Sequence, residues 1–287
     1  MRYDVAIIGS GPAAISAALT LKLHNKSIIW FGSKNLSPKV ERSEMIANYP
    51  GVKMVTGTEL NRLYREQIED AGLEIEERQV TNISSSRRGF MVLGGNDIYD
   101  AKTVLLALGS TSPKGFPGEA ELLGHGVSYC ATCDGFLYPG RTIAIFCGSK
   151  EFEHEVNYLA EIAAKVYLFT SCGEPSVSRE NIEVNPGKLK TIQGEEKVTA
   201  IELTDGTTVP VDGVFVLRPA VAPGMLVKGL ELNGADIVVD RRMATNKPGV
   251  FAAGDCTGRP YQLAKAVGEG NIAAHSIVEY LAEKEKQ

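Results

Sequence analysis

The 287 residues of the chain suit two domains of ordinary size. A hydrophobic content of 44% with 30 glycines fits a globular α/β protein, and a net charge of −5 argues against a nucleic-acid partner. No apolar run of about 18 residues occurs, which excludes a membrane-spanning helix.

Residues 3–8 read as a buried parallel strand, so close to the start that no room is expected for a signal peptide. Gly9-Ser10-Gly11-Pro12-Ala13-Ala14 follows, then an apolar helix over 15–23 and a strand over 27–31. That is the βαβ opening of a doubly wound fold. In it Gly9 permits the tight turn, Gly11 lets backbone approach a pyrophosphate, and Ala14 allows close helix–strand packing. The second strand ends without the usual ribose-binding acid, which leaves Ser33 or Lys34 to serve. Residues 58–71 form an amphipathic helix that Gly72 stops. Short strands are expected at 73–77, 79–84, 90–93 and 103–106, and Gly115-Phe116-Pro117-Gly118 punctuates a boundary. A second βαβ pattern takes strand 142–146, helix 151–163 and strand 166–169, with later strands at 197–203 and 211–217. The chain turns again at Lys247-Pro248-Gly249 into a strand over 250–253 and a last helix over 268–281. The expected fold class is α/β, with two Rossmann-like three-layer nucleotide-binding-type domains. One spans 1–113 and 246–287; the second, 114–245, is inserted in it.

Cys130-Ala131-Thr132-Cys133-Asp134 carries the chemistry. Two thiols at this spacing close into a small reducible disulfide, and the adjoining acid can supply and remove protons during exchange. A zinc site would need a second ligand pair, but Cys147, Cys172 and Cys256 are isolated and the four histidines are scattered. No metal is expected, and the lone cysteines read as small apolar residues. Five cysteines without a disulfide framework fit a reducing cytoplasm.

Gly249–Asp255 is a strand, a glycine turn and an acid, and Gln262-Leu263 leads into the last helix. This resembles the second FAD motif of two-dinucleotide flavoproteins. With Asn48-Tyr49-Pro50-Gly51, Leu108-Gly109, Pro117-Gly118-Glu119 and the cysteine run, the chain resembles the low-molecular-weight thioredoxin reductases over almost its whole length. The resemblance implies an FAD domain and a pyridine-nucleotide domain that rotate against each other, in a homodimer. It implies that Cys133 approaches the flavin, Cys130 attacks the partner disulfide, and Asp134 is the acid/base. It gives the FAD contacts as Gly9, Gly11, Pro12, Ala13, Ala14, Ser33, Lys34, Asn48, Val80, Gly109, Gly254, Asp255, Gln262 and Leu263.

The family's second dinucleotide motif is broken. Cys147 and Ser149 stand for its glycines, Phe152 for its small packing residue, and Glu151 adds charge where phosphates would sit. No arginine follows the next strand before Arg179, and Leu217-Arg218-Pro219-Ala220 replaces an Ile-Gly turn. The chain is most like the pyridine-nucleotide-independent reductases, which take electrons from ferredoxin and reduce thioredoxin. An NADPH-dependent thioredoxin reductase, an FAD-dependent dithiol oxidase and a redox-sensing flavoprotein stand as alternatives. Candidate basic docking patches are Lys34/Lys39/Arg42, Arg87/Arg88, Arg241/Arg242 and Arg259/Lys265.

Overall fold

A computed structural model describes residues 1–109, 115–119, 121–129, 131–177, 179–218 and 222–286; of Cys133 and Glu151 only the backbone is described. The chain divides into two compact units, Met1–Pro113 with Ala222–Gln287, and Lys114–Val221.

The first unit opens with strand β1 (Arg2–Ile8), helix α1 (Pro12–Leu23) and strand β2 (Ile28–Phe31). A single turn, α2 (Pro38–Glu41), precedes α3 (Gly57–Asp70), whose N-cap Thr56 accepts the Glu59 N–H. Strands β3 (Val80–Ser86), β4 (Gly89–Gly94) and β5 (Asp97–Leu106) then run as an antiparallel meander. β5 plays two parts. Its first half pairs with β4, and its apolar second half lies parallel to β1. Burial follows the same division, with the end of the strand wholly inside, as a parallel strand covered on both faces must be. The sheet order is β2-β1-β5-β4-β3.

The second unit contains β6 (Val127–Ser128), the one-turn helix α4 (Ala131–Asp134), β7 (Thr142–Cys147), α5 (Glu153–Ile162), β8 (Lys165–Thr170) and β9 (Ile182–Val184). An antiparallel set β10 (Leu189–Gly194), β11 (Val198–Leu203) and β12 (Thr208–Pro210) follows, then β13 (Gly213–Leu217). The main sheet is parallel in the order β6-β13-β7-β8-β9.

The chain returns to the first unit through α6 (Pro223–Leu226), β14 (Leu232–Asn233), β15 (Asp236–Ile237), β16 (Val250–Ala252) and α7 (Leu263–Glu285). β16 pairs parallel with β5 and completes that sheet. Helices α1 and α7 cross so closely that a Cβ on Gly270 would lie 2.1 Å from the Ala13 carbonyl oxygen. Both units are Rossmann-like α/β folds, the second inserted in the first.

Three expectations shift. The return falls at residue 222 rather than 246, because Val227 bridges to Ile83 of β3 and Asn246 donates to the Gly229 carbonyl, which ties the intervening residues to the first unit. The strand expected at 73–77 reduces to one bridge between Glu76 and Phe31 at the edge of β2. The last helix starts at Leu263 rather than 268, since Gln262 already holds the extended N-cap conformation. Among the described residues no helix is long and apolar enough to cross a membrane.

Candidate functional site

Each unit has a topological switch point, where successive crossovers leave the first strand in opposite directions and a crevice opens at the strand ends. In the first unit it lies between β1 and β5; in the second, between β7 and β13.

At the first crevice β1 ends at Ile8 and Gly9 turns with φ +113, where a Cβ would strike the Ala107 carbonyl oxygen at 2.1 Å. The Trp30 indole N–H donates to the Gly9 carbonyl at 2.7 Å and fixes the turn. Gly11 is the N-cap of α1, with Pro12 at the first helical position and no acidic residue in the first turn. A Cβ on Gly11 would meet no atom within 4 Å, so the helix N-terminus, without a side-chain cap, faces open space. Ala13 and Ala14 are buried against the sheet and α7. These features fit a pyrophosphate: backbone N–H groups, the positive helix end, and room for close approach.

The second arm of this crevice comes from the far end of the chain. Gly254 turns with φ +90, and its Cβ direction points at the Ala13 side chain 2.9 Å away. Glu269 accepts the Gly254 N–H at 2.9 Å, while Lys265 donates to the carbonyls of Gly254 and Gly258 at 2.7 and 2.8 Å. This clamp holds Asp255, whose carboxylate pairs with Lys39 from α2. Lys265 is therefore committed to backbone and is no surface docking cation. Asn48 donates to the Gln262 side-chain oxygen at 3.1 Å, which brings together two expected contacts. Gly109 has φ +70 with open space around its Cβ direction. Ser33 donates its N–H to the Ser10 hydroxyl, and Lys34 donates its N–H to Glu77. Val80 opens β3 opposite Gly94 and is buried, and Leu263 is the first residue of α7.

The redox loop lies in the second unit. Cys130 is outside the described residues; Cys133 belongs to α4, and Asp134 ends it. The Ser128 hydroxyl donates to the Asp134 carboxylate at 2.6 Å, and the Ala131 N–H donates to Glu155 of α5 at 3.2 Å. Cys147 and Cys256 are buried, which pushes each thiol up to about 11 and makes them poor nucleophiles.

The second crevice is filled from within. Arg218, at the end of β13, is 9% exposed and turns inward to pair with Glu119, which is 0% exposed. The Tyr129 hydroxyl donates to the same carboxylate at 2.9 Å; burial, with the Glu119 charge beside it, raises the phenol and keeps it a donor. A Cβ on Gly148 would meet the Arg218 Cβ at 3.1 Å. The rings of Phe116 and Phe146 stack edge to face at 5.1 Å. The strand runs on through Cys147, and α5 begins only after Phe152, with Glu153 and Glu155 in its first turn.

Sequence reasoning missed Lys39, Ser128, Glu155, Lys265 and Glu269 as parts of these sites. Lys39 acts through Asp255, 216 residues away, and the others act through partners 6 to 24 residues off, a spacing that no short motif signals. Arg218 had a signal as a departure from the family pattern, but its pairing with Glu119 did not.

The pyridine nucleotide-disulphide oxidoreductase family model matches residues 3–149 and 169–270. A thioredoxin reductase of Helicobacter pylori is 33% identical, over 97% of this chain and 98% of that protein. Among solved structures, a ferredoxin-flavin thioredoxin reductase from Clostridium acetobutylicum is 42% identical, with a TM-score of 0.91 and 100% of both chains covered. A thioredoxin reductase from Gloeobacter violaceus is 30% identical, with a TM-score of 0.78 over 99% of this chain and 95% of that one. The chain belongs to the pyridine nucleotide-disulphide oxidoreductases, and within them to the thioredoxin reductases, flavoprotein oxidoreductases whose cofactor is FAD.

Proposed function

We propose that this enzyme reduces thioredoxin through the Cys130/Cys133 pair with electrons from ferredoxin rather than NADPH. The observation that carries the choice of donor is the buried Arg218–Glu119 pair at the switch point of the second unit. A nucleotide pyrophosphate entering between β7 and β13 would have to displace a buried ion pair, and removing one partner of such a pair costs about 3–5 kcal/mol. It would then meet the carboxylates of α5 where it needs a bare helix N-terminus. The similarity to the clostridial ferredoxin-flavin enzyme supports the same reading.

In this reading the first unit is the FAD domain and the second a degenerate pyridine-nucleotide-type domain. Gly11, Pro12, Ala13 and Ala14 present the α1 N-terminus to the pyrophosphate, and Gly9 and Gly254 shape the two turns beside it. Asp255 holds the ribityl chain, with Asn48, Gln262, Leu263, Gly109, Val80, Ser33 and Lys34 as further contacts. Bound FAD supplies the chemistry that joins a one-electron donor to a two-electron disulfide. Cys133 is the flavin-side thiol and Cys130 attacks thioredoxin. Asp134 moves the proton, its carboxylate oriented by the Ser128 hydroxyl. The working form is a homodimer. The driving force is sufficient: a ferredoxin near about −400 mV and thioredoxin near about −270 mV release roughly 6 kcal/mol for two electrons.

Anaerobic reduction of the bound flavin tests the donor. Reduced ferredoxin should bleach it and sustain thioredoxin reduction, while NADPH and NADH should not. Rapid, saturable bleaching by micromolar NADPH would establish the ordinary reductase instead. Oxygen uptake with small dithiols would establish the oxidase.

A further inference from the structure

We infer that Cys147 and Cys172 form a second thiol pair, a reversible disulfide site beside the closed crevice that reacts with low-molecular-weight disulfides. The inference draws neither on the electron donor nor on the Cys130/Cys133 chemistry.

Strand β7 ends at Cys147, which pairs with Thr170, the last residue of β8. The ladder runs one bond further, because the Ser171 N–H donates to the Cys147 carbonyl at 3.2 Å. Cys172 is the next residue. Its side chain folds back over the strand ends and brings the Sγ to 3.9 Å from the Cys147 carbonyl oxygen. The two thiols hydrogen-bond each other there. Burial, with the Cys172 thiol beside it, pushes the Cys147 thiol up to about 11. Neighbouring strands lie about 4.8 Å apart, and a disulfide joins Cα atoms about 4.4–6.8 Å apart, so cysteines on adjacent strand ends are within reach of a bridge.

Exposure gives each member a role, for Cys147 is buried and Cys172 only half-buried. The Cys172 N–H donates to the Thr170 hydroxyl at 3.2 Å, and that hydroxyl lies 3.1 Å from the Cys172 Sγ, where it can donate to a thiolate. Cys172 therefore attacks first. Its thiolate bonds to one sulfur of a small disulfide and expels the other half as a thiolate. Cys147 then loses its proton and attacks the Cys172 sulfur, which releases the second half as a thiolate. Two protein thiols lose two electrons and two protons, and one disulfide becomes two thiols. Burial shields Cys147 from reagents in solution but does not block this second step, since the sulfur it attacks is already its neighbour. Both positions depart from a working dinucleotide site: Cys147 stands where the turn needs glycine, and Cys172 stands after β8 where arginine would hold a 2′-phosphate. Loss of a nucleotide explains why those residues are gone; it does not explain why two thiols meet in their place.

The test uses the FAD-loaded protein carrying Cys130→Ser and Cys133→Ser, so that the redox loop neither supplies nor takes electrons. It is equilibrated anaerobically with reduced and oxidised glutathione, quenched in acid, alkylated with N-ethylmaleimide and mapped by peptide mass. A linked Cys147–Cys172 peptide, two hydrogens lighter, should form and should revert with dithiothreitol. The ratio of linked to free pair should rise about tenfold for each tenfold rise in oxidised glutathione over the square of reduced glutathione. Adding Cys147→Ser should strand glutathione on Cys172, whereas adding Cys172→Ser should leave Cys147 unmodified; Cys147→Ala gives the first reading if the serine protein does not fold. Cys256, buried against the Leu106 and Ala253 carbonyls, is the internal control and should stay a free thiol throughout. Absence of the linked peptide, or glutathione accumulating on Cys172 of the protein that retains Cys147 while Cys147 stays free, would overturn the inference.

Discussion

The two units carry the same strand–turn–helix device and put opposite things at its tip. In the first, β1 stops at Ile8, Gly9 makes the turn, and α1 starts at once behind Gly11 with nothing within 4 Å of where its Cβ would be. In the second, the strand runs on through Cys147, a short 3-10 segment spans Lys150–Phe152, and α5 starts at Glu153 with carboxylates in its first turn. One crevice is lined by absent side chains; the other is closed by present ones. The difference teaches that the crevice of a Rossmann-like scaffold can be occupied by buried protein groups as well as left open for a ligand. Arg218 and Glu119 supply to each other the charge balance that phosphates and arginines would otherwise supply.

The largest effect is expected where that replacement is undone. Glu119→Ala leaves Arg218 buried without its carboxylate and Tyr129 without its acceptor. Stability should fall by about 3–5 kcal/mol in denaturant unfolding of the second unit. The paired change Glu119→Leu with Arg218→Met should recover most of it, because a well-packed apolar pair of similar volume is often neutral or better. A single-variant loss below about 1 kcal/mol would mean that the pair does not hold the crevice closed.

At the open crevice the corresponding change spares the fold and removes the cofactor. Gly11→Val adds side-chain atoms where the protein has none within 4 Å, so the unliganded protein should keep its thermal transition. FAD affinity should fall on the order of several-hundred-fold by flavin fluorescence titration, since the added atoms stand where backbone must approach pyrophosphate. Gly9→Ala is the control with the opposite pattern. Its methyl group would strike the Ala107 carbonyl at 2.1 Å from a φ of +113, so it should fail in folding itself. If Gly11→Val retains FAD at full affinity, the pyrophosphate does not lie at α1.

Each crevice also hides a cysteine, and the two should behave alike. Burial raises both Cys147 and Cys256 from 9.0 to about 11. A thiol is reactive as its thiolate, so at pH 7.5 both should alkylate roughly 100-fold more slowly than an ordinary free thiol. The rate should climb about tenfold per pH unit until the pH nears the raised value, and denaturant should abolish the difference. Fast labelling of either residue in the folded protein at pH 7.5 would contradict its burial.

Much of this contrast was legible in the sequence, for a local reason. Gly9, Gly11 and Ala14 act through neighbours in the chain, and Cys147, Ser149 and Phe152 can be read against them by spacing alone. The cysteine run with Asp134 is equally local. Contacts between distant residues were not legible. Glu119 and Arg218 lie 99 residues apart, and Lys39 and Asp255 lie 216 apart. The domain return was misplaced for the same kind of reason. Pro248-Gly249 is a strong turn signal, whereas the actual return near 222 is marked only by pairings such as Val227 with Ile83.

The smallest expected effect sharpens the comparison most. Cys147→Gly, Ser149→Gly and Phe152→Ala together rewrite the second crevice in the pattern of the first. If the motif alone decided nucleotide binding, the triple variant would gain it. It should not, because the motif is one of three obstacles. A Cβ on Gly148 would lie 3.1 Å from the Arg218 Cβ, so freeing the residues on either side of Gly148 leaves the ion pair in the crevice. Glu153 and Glu155 remain in the first turn of α5. The end of β8 at Thr170 still leads into Ser171, Cys172 and Gly173, with no arginine before Arg179 to hold a 2′-phosphate. NADPH titrated anaerobically against the flavin should therefore bleach the triple variant less than about threefold faster than the parent, with no saturation in the micromolar range. Adding Arg218→Gly with Glu119→Gln should be the first step that changes this rate. Saturable bleaching by the triple variant alone would show that Arg218 and Glu119 yield easily to a ligand, and that the open and closed crevices differ by three side chains only.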